Sequence, residues 1–139
     1  MKDIVITLPE ELWNLICSER KKIELRKSIP IEFDKDINKC WVIKKGTSRV
    51  VGFFYIESFH EDLKFRERID EITNDAAVSV EFVETYYQGY QKACIWKIGP
   101  VYQSTKPIDR FVEFGMRTNP QSFVYVDEPK HKLSFLRIQ

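Results

Sequence analysis

The residues with the greatest capacity for chemistry lie in one run, Glu19-Arg20-Lys21-Lys22-Ile23-Glu24-Leu25-Arg26-Lys27, where five cations and two carboxylates surround two aliphatic side chains. From Lys22 to Arg26 the apolar residues Ile23 and Leu25 alternate with charged ones, the period of a strand with one face in a core. Lys22, Glu24 and Arg26 then share a face, with successive side chains about 7 Å apart. A base–acid–base row on a rigid sheet suits a polar, planar or anionic ligand. Arginine offers a two-pronged fork to phosphate or carbonyl oxygen and lysine a point charge, while glutamate accepts from the amino or imino edge of a base. Lys21, at the junction with the preceding helix, reaches the same place from the side. Two plainer readings compete. The charges are the solvated outer face of an edge strand, where they discourage edge-to-edge pairing, or Glu24 and Arg26 form a salt bridge that closes the sheet.

The neighbouring elements must position that row. Ile4 to Leu8 reads as a first strand, and Thr7-Leu8-Pro9 feeds a helix with Pro9 in its first turn. Glu10 and Glu11 sit where a helix N-terminus favours negative charge. Leu12, Trp13, Ile16 and Cys17 give the helix an apolar face, and it ends near Ser18 to Arg20. After the charged strand, Pro30 leads into a polar, acidic connection from Ile31 to Asn38. Cys40 to Lys44 and Val50 to Phe59 flank Lys45-Gly46-Thr47-Ser48, a hairpin signal. The second arm is too apolar to have a wet face, so it is predicted to be central, with Gly52 at a bulge or bend. Glu61 to Ile72 and Ser79 to Tyr87 carry helical patterns, the second ended by Gly89. Lys92 to Ile98 returns to strand, Gly99-Pro100 is predicted to break it, and Val101 to Ser104 to resume it. Lys106 to Gly115 is predicted as a short helix, with Ser122 to Val126 and Leu133 to Ile138 as the last strands. No regular βαβ alternation occurs. The expectation is an α+β domain spanning residues 1–139, its five to seven mixed strands closing into a small barrel with short helices inserted.

Bulk properties narrow the function classes. A chain of 139 residues with 43% hydrophobic and 14% aromatic side chains can bury a proper core, so disorder is excluded. A net charge of +1 excludes a protein that grips nucleic acid by bulk electrostatics alone. The charge is nonetheless polarised: Arg20 to Arg49 holds ten bases against four acids, and Glu57 to Glu84 nine acids against three bases. Such asymmetry suits placing an anionic ligand at one address. Cys17, Cys40 and Cys94 are odd in number and far apart, which reads as free thiols in a reducing compartment. With only His60 and His131 and no Cys-x-x-Cys, neither a metal nor a cofactor is expected. No signal peptide or long apolar run is evident, and the expectation is a cytoplasmic protein off the membrane.

Lys21-Lys22-Ile23-Glu24-Leu25-Arg26-Lys27, after a strand and a short helix, resembles the signature of the ASCH domain, Gly-x-Lys-x-x-Glu-x-Arg. The ASCH fold is similar to the PUA barrel of RNA-modifying enzymes. Further features resemble one ASCH subgroup, described in prokaryotes and phages as a predicted transcriptional regulator. They are the Val51-Gly52 pair, an acidic helical insert at about 60–89, Lys92-Ala93 with a Trp-Lys-Ile-Gly strand, a Lys-Pro turn, and the tail Pro120-Gln121-Ser122-Phe123-Val124-Tyr125. The likeness runs from about Met1 to Val126. The family's glycine is Glu19 here, which removes the residue that most easily makes the tight turn before Lys21. The chain leaves no room for the helix-turn-helix that some such regulators carry, so any reading of DNA sequence is expected from a partner.

The resemblance implies a module that binds nucleic acid, RNA foremost, or a nucleotide, in a cleft between the first helix and the barrel. The implied contacts are Lys21, Lys22, Glu24, Arg26, Gln121, Ser122 and Tyr125, with Tyr125 or Trp41 stacking on a base. Gln121 and Ser122 serve equally well as barrel-closing hydrogen bonders. Tyr86 and Tyr87 read as packing of the insert. The alternative is a small hydrolase built on Lys21, Glu24 and Arg26. Some ASCH proteins resemble amidohydrolases on acylated cytidine, using the motif lysine with a threonine and a glutamate, and others are described as ribonucleases. Here Lys21 matches the lysine and Glu24 stands at the threonine position. In a ribonuclease, Lys or Arg would stabilise the phosphorane and Glu24 act as base. A third reading is a protein partner docking on the acidic insert.

Overall fold

A computed structural model describes residues 2–30 and 37–138. Its elements run in the order β1 (Lys2–Leu8), α1 (Glu10–Cys17), β2 (Ile23–Arg26), β3 (Ile37–Lys44), β4 (Arg49–Asp62), a 3₁₀ turn (Phe65–Arg68), α2 (Ile69–Ala76), α3 (Val80–Tyr86), β5 (Ala93–Asp109), α4 (Arg110–Phe114), β6 (Val124–Val126) and β7 (Phe135–Arg137). The fold is α+β. Seven strands form one mixed sheet in the order β2-β5-β4-β3-β1-β6, with β7 also on β5. β1 and β3 pair in parallel and the remaining strand pairs are antiparallel.

β1 is buried on both faces, which is why its sequence is an unbroken apolar run. Ile4, Ile6 and Leu8 pack with Trp13 and Ile16 of α1, Cys40, Val42, Phe54 and Trp96. Val5 faces the other way, with Trp41, Ile43, Val50, Phe53 and Ile108, under a cover from Phe114, Leu133 and Phe135. A third cluster joins Ile23 and Leu25 of β2 to Phe65, Ile72, Val83 and Tyr87 of the insert. The Lys45–Ser48 turn makes the expected β3–β4 hairpin with Gly46 at φ +82°, and β4 is central. The ladder slips next to Gly52, as expected of a bulge. A Cβ there would lie 2.2 Å from the Tyr102 carbonyl oxygen and 2.7 Å from the Trp13 ring, so α1 can lie on the sheet only over bare backbone.

Several expectations are corrected. Gly99-Pro100 does not end a strand: β5 runs seventeen residues to Asp109, and the register shifts at this point between Phe54 and Ile56 on β4. The dipeptide bends the strand at a bulge, where proline is tolerated because it need not donate. No helix begins at Lys106, since Val50 and Arg49 hold Ile108 and Asp109 in the ladder. The helix waits for Asp109 to cap it, its carboxylate accepting from the Phe111 and Val112 N–H groups at 3.0 and 3.1 Å. Glu61 and Asp62 belong to β4, paired with Cys94 and Ala93, and His60 is a strand residue too. The insert is therefore the connection of a long β4–β5 hairpin, and cross-strand pairing overrides the helical period at its start. Most of the acidic connection expected at 31–38 lies outside the described residues. Cys40 and Cys94 are buried and Cys17 is half-buried, all three with free thiols. Among the described residues no helix is long and apolar enough to cross a membrane.

Candidate functional site

The strand order leaves β2 and β6 at its two ends, with the short β7 a further edge beside β5, and the sheet curls until β2 comes up to the approach to β6. Arg26 on β2 donates through Nη1 to the Ser122 carbonyl, 3.2 Å away and just before β6. Phe123 packs edge-on against Trp96 at 5.6 Å, across the same gap. The barrel is thus closed along this line by side chains and not by a backbone ladder.

α1 delivers the motif to the seam. It ends with Glu19 in the left-handed region at φ +65°. Glu19 N–H donates to Ile16 O at 3.1 Å and Arg20 N–H to Leu15 O at 3.0 Å, the paired bonds of a Schellman motif. The glycine of the ASCH signature aligns with this position, where positive φ carries no penalty for a residue without Cβ. The turn survives in this chain with a glutamate in a strained conformation. It throws Lys21 inward and Lys22 outward.

β2 then pairs with β5, Glu24 opposite Trp96 and Arg26 opposite Cys94. Its alternation has an unusual meaning, because both faces are covered. Ile23 and Leu25 face the insert, and Glu24 and Arg26 face the seam. The solvated-edge reading is overturned: Lys21, Glu24 and Arg26 are only 2%, 5% and 8% exposed. Glu24 Oε1 lies 3.1 Å from Lys21 Nζ, and Oε2 accepts from Arg26 Nε at 2.8 Å and faces Nη2 at 2.7 Å. Lys21 Nζ also donates to the Ala76 carbonyl at the end of α2, at 2.8 Å. Beside it, Lys22 N–H donates to the Asp75 carbonyl at 2.6 Å, so two otherwise orphaned carbonyls of that helix are satisfied by the motif. The Arg26 guanidinium lies 5.8 Å from the Trp96 ring centroid, and the Tyr87 hydroxyl donates to the Arg26 carbonyl at 2.8 Å.

The predicted residues therefore divide. Lys21, Glu24, Arg26 and the backbone of Ser122 meet at the seam. Lys22 does not join the row: it is exposed and borders a separate hollow of about 730 Å³ between the ends of α1 and α2, with Glu19, Arg20 and Asp75. Gln121 and the Ser122 side chain are exposed. Tyr125 is half-buried, its ring 5.8 Å from Phe123, and it borders a hollow beyond β6 with Arg117 and Pro120. Trp41 is no stacking platform, being 1% exposed with its indole N–H bound to Asp3 Oδ2 at 2.9 Å. Tyr87 is core, as expected, while Trp96, Tyr87 and Phe123 back the seam in roles that spacing did not reveal. Burial pushes the Cys40 thiol well above its usual range and Cys17 up to about 11, so neither is poised as a thiolate nucleophile. Among the described residues no three His, Cys, Asp or Glu side chains cluster as metal ligands would.

No protein-family model matches the chain, and no curated protein matches it. Solved structures do. The crystal structure of the ASCH protein from Zymomonas mobilis is 22% identical over 90% of this chain and 87% of its own, with a TM-score of 0.73. A serine-to-alanine variant of that protein is 21% identical, covering 90% and 88%, with a TM-score of 0.74. A tyrosine-to-phenylalanine variant is 22% identical, covering 91% of each chain, again at 0.74. The likeness covers about nine-tenths of the chain, which shares the fold of that ASCH protein.

Proposed function

We propose that this chain is an ASCH-type module, acting as one domain, that binds nucleic acid or a nucleotide, with RNA as the favoured ligand and a regulatory role in transcription or translation. The observation that carries the reading is the buried Lys21–Glu24–Arg26 cluster at the seam between β2 and β6, which no backbone ladder joins among the described residues. Two cations and one carboxylate leave a net positive charge there, and charges taken out of water this way are a poor source of stability compared with apolar packing. A seat for an anion or a base edge gives them a purpose. Arg26, the most accessible of the three, has the fork that suits phosphate or a base carbonyl. The ASCH fold and the three free thiols, which suit a reducing compartment, support the same reading.

The hydrolase reading comes second. The Lys21 ammonium is occupied by two acceptors, Glu24 and the Ala76 carbonyl, which makes it a tie between β2 and α2 and not a free nucleophile. Release of acetate from acetylcytidine, lost in Lys21→Ala, would reverse the order.

The binding test needs a variant that loses the charges without losing the fold. Replacing a buried ion cluster by apolar residues of similar volume is often neutral or stabilising. The triple variant Lys21→Met, Glu24→Leu, Arg26→Met removes the charges together but also takes the donors from the Ala76 and Ser122 carbonyls, so its binding is compared with the parent's at a temperature where circular dichroism shows both folded. A labelled single-stranded RNA should shift with the parent, weaken as salt rises, and not shift with the triple variant. Equal binding by both folded proteins would remove the seam from the account.

A further inference from the structure

The helical insert carries a group of side chains that the seam does not use. Phe82 and Tyr86, one turn apart on α3, lie nearly parallel, their ring centroids 5.6 Å apart and their planes 10° apart, and Tyr90 follows beyond the end of the helix. Rings of this size normally bury most of their surface, yet Phe82 is 48% and Tyr90 42% exposed. Tyr86 is half-buried because it rests edge-on against the core ring of Tyr87, at 4.8 Å. The Lys27 ammonium lies 4.7 Å from the Tyr86 centroid and 4.9 Å from that of Tyr90, a cation held on aromatic rings. Lys27 has no ion-pair partner among the described residues. Of the two exposed acids on α3, Glu81 flanks the rings, and Glu84, two residues on from Phe82, falls on the far side of the helix.

This plate of rings is continuous with the seam. β2 stops at Arg26 and the chain bends at Lys27, so Arg26 faces the seam and Lys27 the rings, around the end of one strand. Lys27 also borders a hollow of about 550 Å³ with Ser28, Phe59, Glu61 and Lys92. The seam forms a wall of that hollow: the Ser28 carbonyl accepts from the Trp96 indole N–H at 3.2 Å, and Phe59 packs edge-on against the same ring at 5.3 Å. Glu61 is paired with Lys92, which leaves the Lys27 charge unbalanced.

We propose that Phe82, Tyr86 and Tyr90, with Lys27, form a stacking platform that makes the ligand a single strand and not a free nucleoside. One nucleotide engages Arg26 at the seam, the backbone crosses the hollow past Lys27, and a neighbouring base lies on the exposed rings. The inference rests on the nucleic-acid reading of the seam. Flat rings beside a cation accept the face of any base together with its phosphate. An apolar protein partner would instead have to bury an uncompensated lysine in the middle of its contact.

Two substitutions at Phe82 separate a stacking ring from apolar bulk, and both leave the seam untouched. Phe82→Leu keeps the bulk without a flat face, and Phe82→Trp keeps the face. With a labelled single-stranded RNA of mixed sequence, Phe82→Leu should bind about tenfold more weakly than the parent, the loss of one stacked base, and Phe82→Trp at least as tightly as the parent. Nucleoside 5′-monophosphates should displace the label only at far higher concentration than unlabelled RNA does. Parent-like binding by Phe82→Leu, with binding still lost in the triple seam variant, overturns the platform and leaves the seam reading standing. An absence of RNA binding by the parent overturns both. An equal loss in Phe82→Leu and Phe82→Trp means that no flat face is being read and overturns the platform. Monophosphates that displace the label as well as RNA does, nucleotide for nucleotide, reveal a single-nucleotide site and overturn the strand. A parent that self-associates in sedimentation and becomes monomeric in Phe82→Leu assigns the rings to a second copy of this chain, which also overturns the proposal.

Discussion

The Lys21–Glu24–Arg26 cluster and the ion pairs of the β4–β5 hairpin are made of the same side chains, yet they work in opposite surroundings. In the cluster every member is more than nine-tenths buried, and the carboxylate is fixed from both sides. On the hairpin, Glu57 and Lys97 sit 3.2 Å apart with more than half of each side chain in water, and Glu61 pairs with Lys92 in similar exposure. Coulomb attraction at a given distance is several times stronger where water is excluded, and so is the penalty for a charge left alone. The same contact is therefore expected to be decisive in one region and almost silent in the other.

The largest effect follows from removing the shared acid. Glu24→Gln keeps the shape and leaves two buried cations facing each other, so the loss should be about 3–5 kcal/mol by urea unfolding, the range for breaking a buried pair from one side. A loss below about 1 kcal/mol, the level of an exposed pair, would mean that water reaches the seam and that the contrast between the two regions is false.

That contrast explains what could and could not be read from the chain alone. The motif, the first helix, the β3–β4 hairpin and the bulge at Gly52 were legible because each is written locally, in period or in turn chemistry. The placement of Lys22 was not. Alternation along Lys22 to Arg26 puts Lys22 in the row, but β2 begins one residue later, and the left-handed Glu19 turns Lys21 inward instead. Nor could alternation reveal that the charged face is covered, because the cover comes from Ser122 and Phe123, about a hundred residues away. Gly99-Pro100 misled for the opposite reason: a strong local breaker was overruled by pairing with β4 on both sides of it.

A smaller effect sharpens the link between the seam and the helix ends that carry it. α1 and α2 both finish on a non-glycine residue in the left-handed region, Glu19 at φ +65° and Ala77 at φ +57°, and both border the hollow that holds Lys22. Each should be relieved by glycine. Glu19→Gly is expected to raise the unfolding free energy by about 1 kcal/mol, because the strain of Cβ at positive φ outweighs the extra entropy of the unfolded chain. Ala77→Gly should gain less, since its methyl group is half-buried. If Glu19→Gly instead lowers stability, the glutamate side chain has a partner in the folded state that its exposure does not suggest. An RNA titration of the same variant would then show whether that partner matters for binding.

The smallest effect tests the other half of the comparison. Glu57 and Lys97 occupy neighbouring strands, and their contact should be screened by water and salt. A double-mutant cycle with Glu57→Ala and Lys97→Ala isolates their coupling from whatever each side chain does to its own strand. The expected coupling is under about 0.5 kcal/mol at physiological ionic strength, falling toward zero in high salt. Lys97 lies opposite Ile23, at the start of β2, so it also probes whether the hairpin and the seam are mechanically joined. If the two regions are independent, Lys97→Ala should leave the stability loss caused by Glu24→Gln unchanged. A coupling above about 1 kcal/mol would instead bring the hairpin's charges into the electrostatics of the seam.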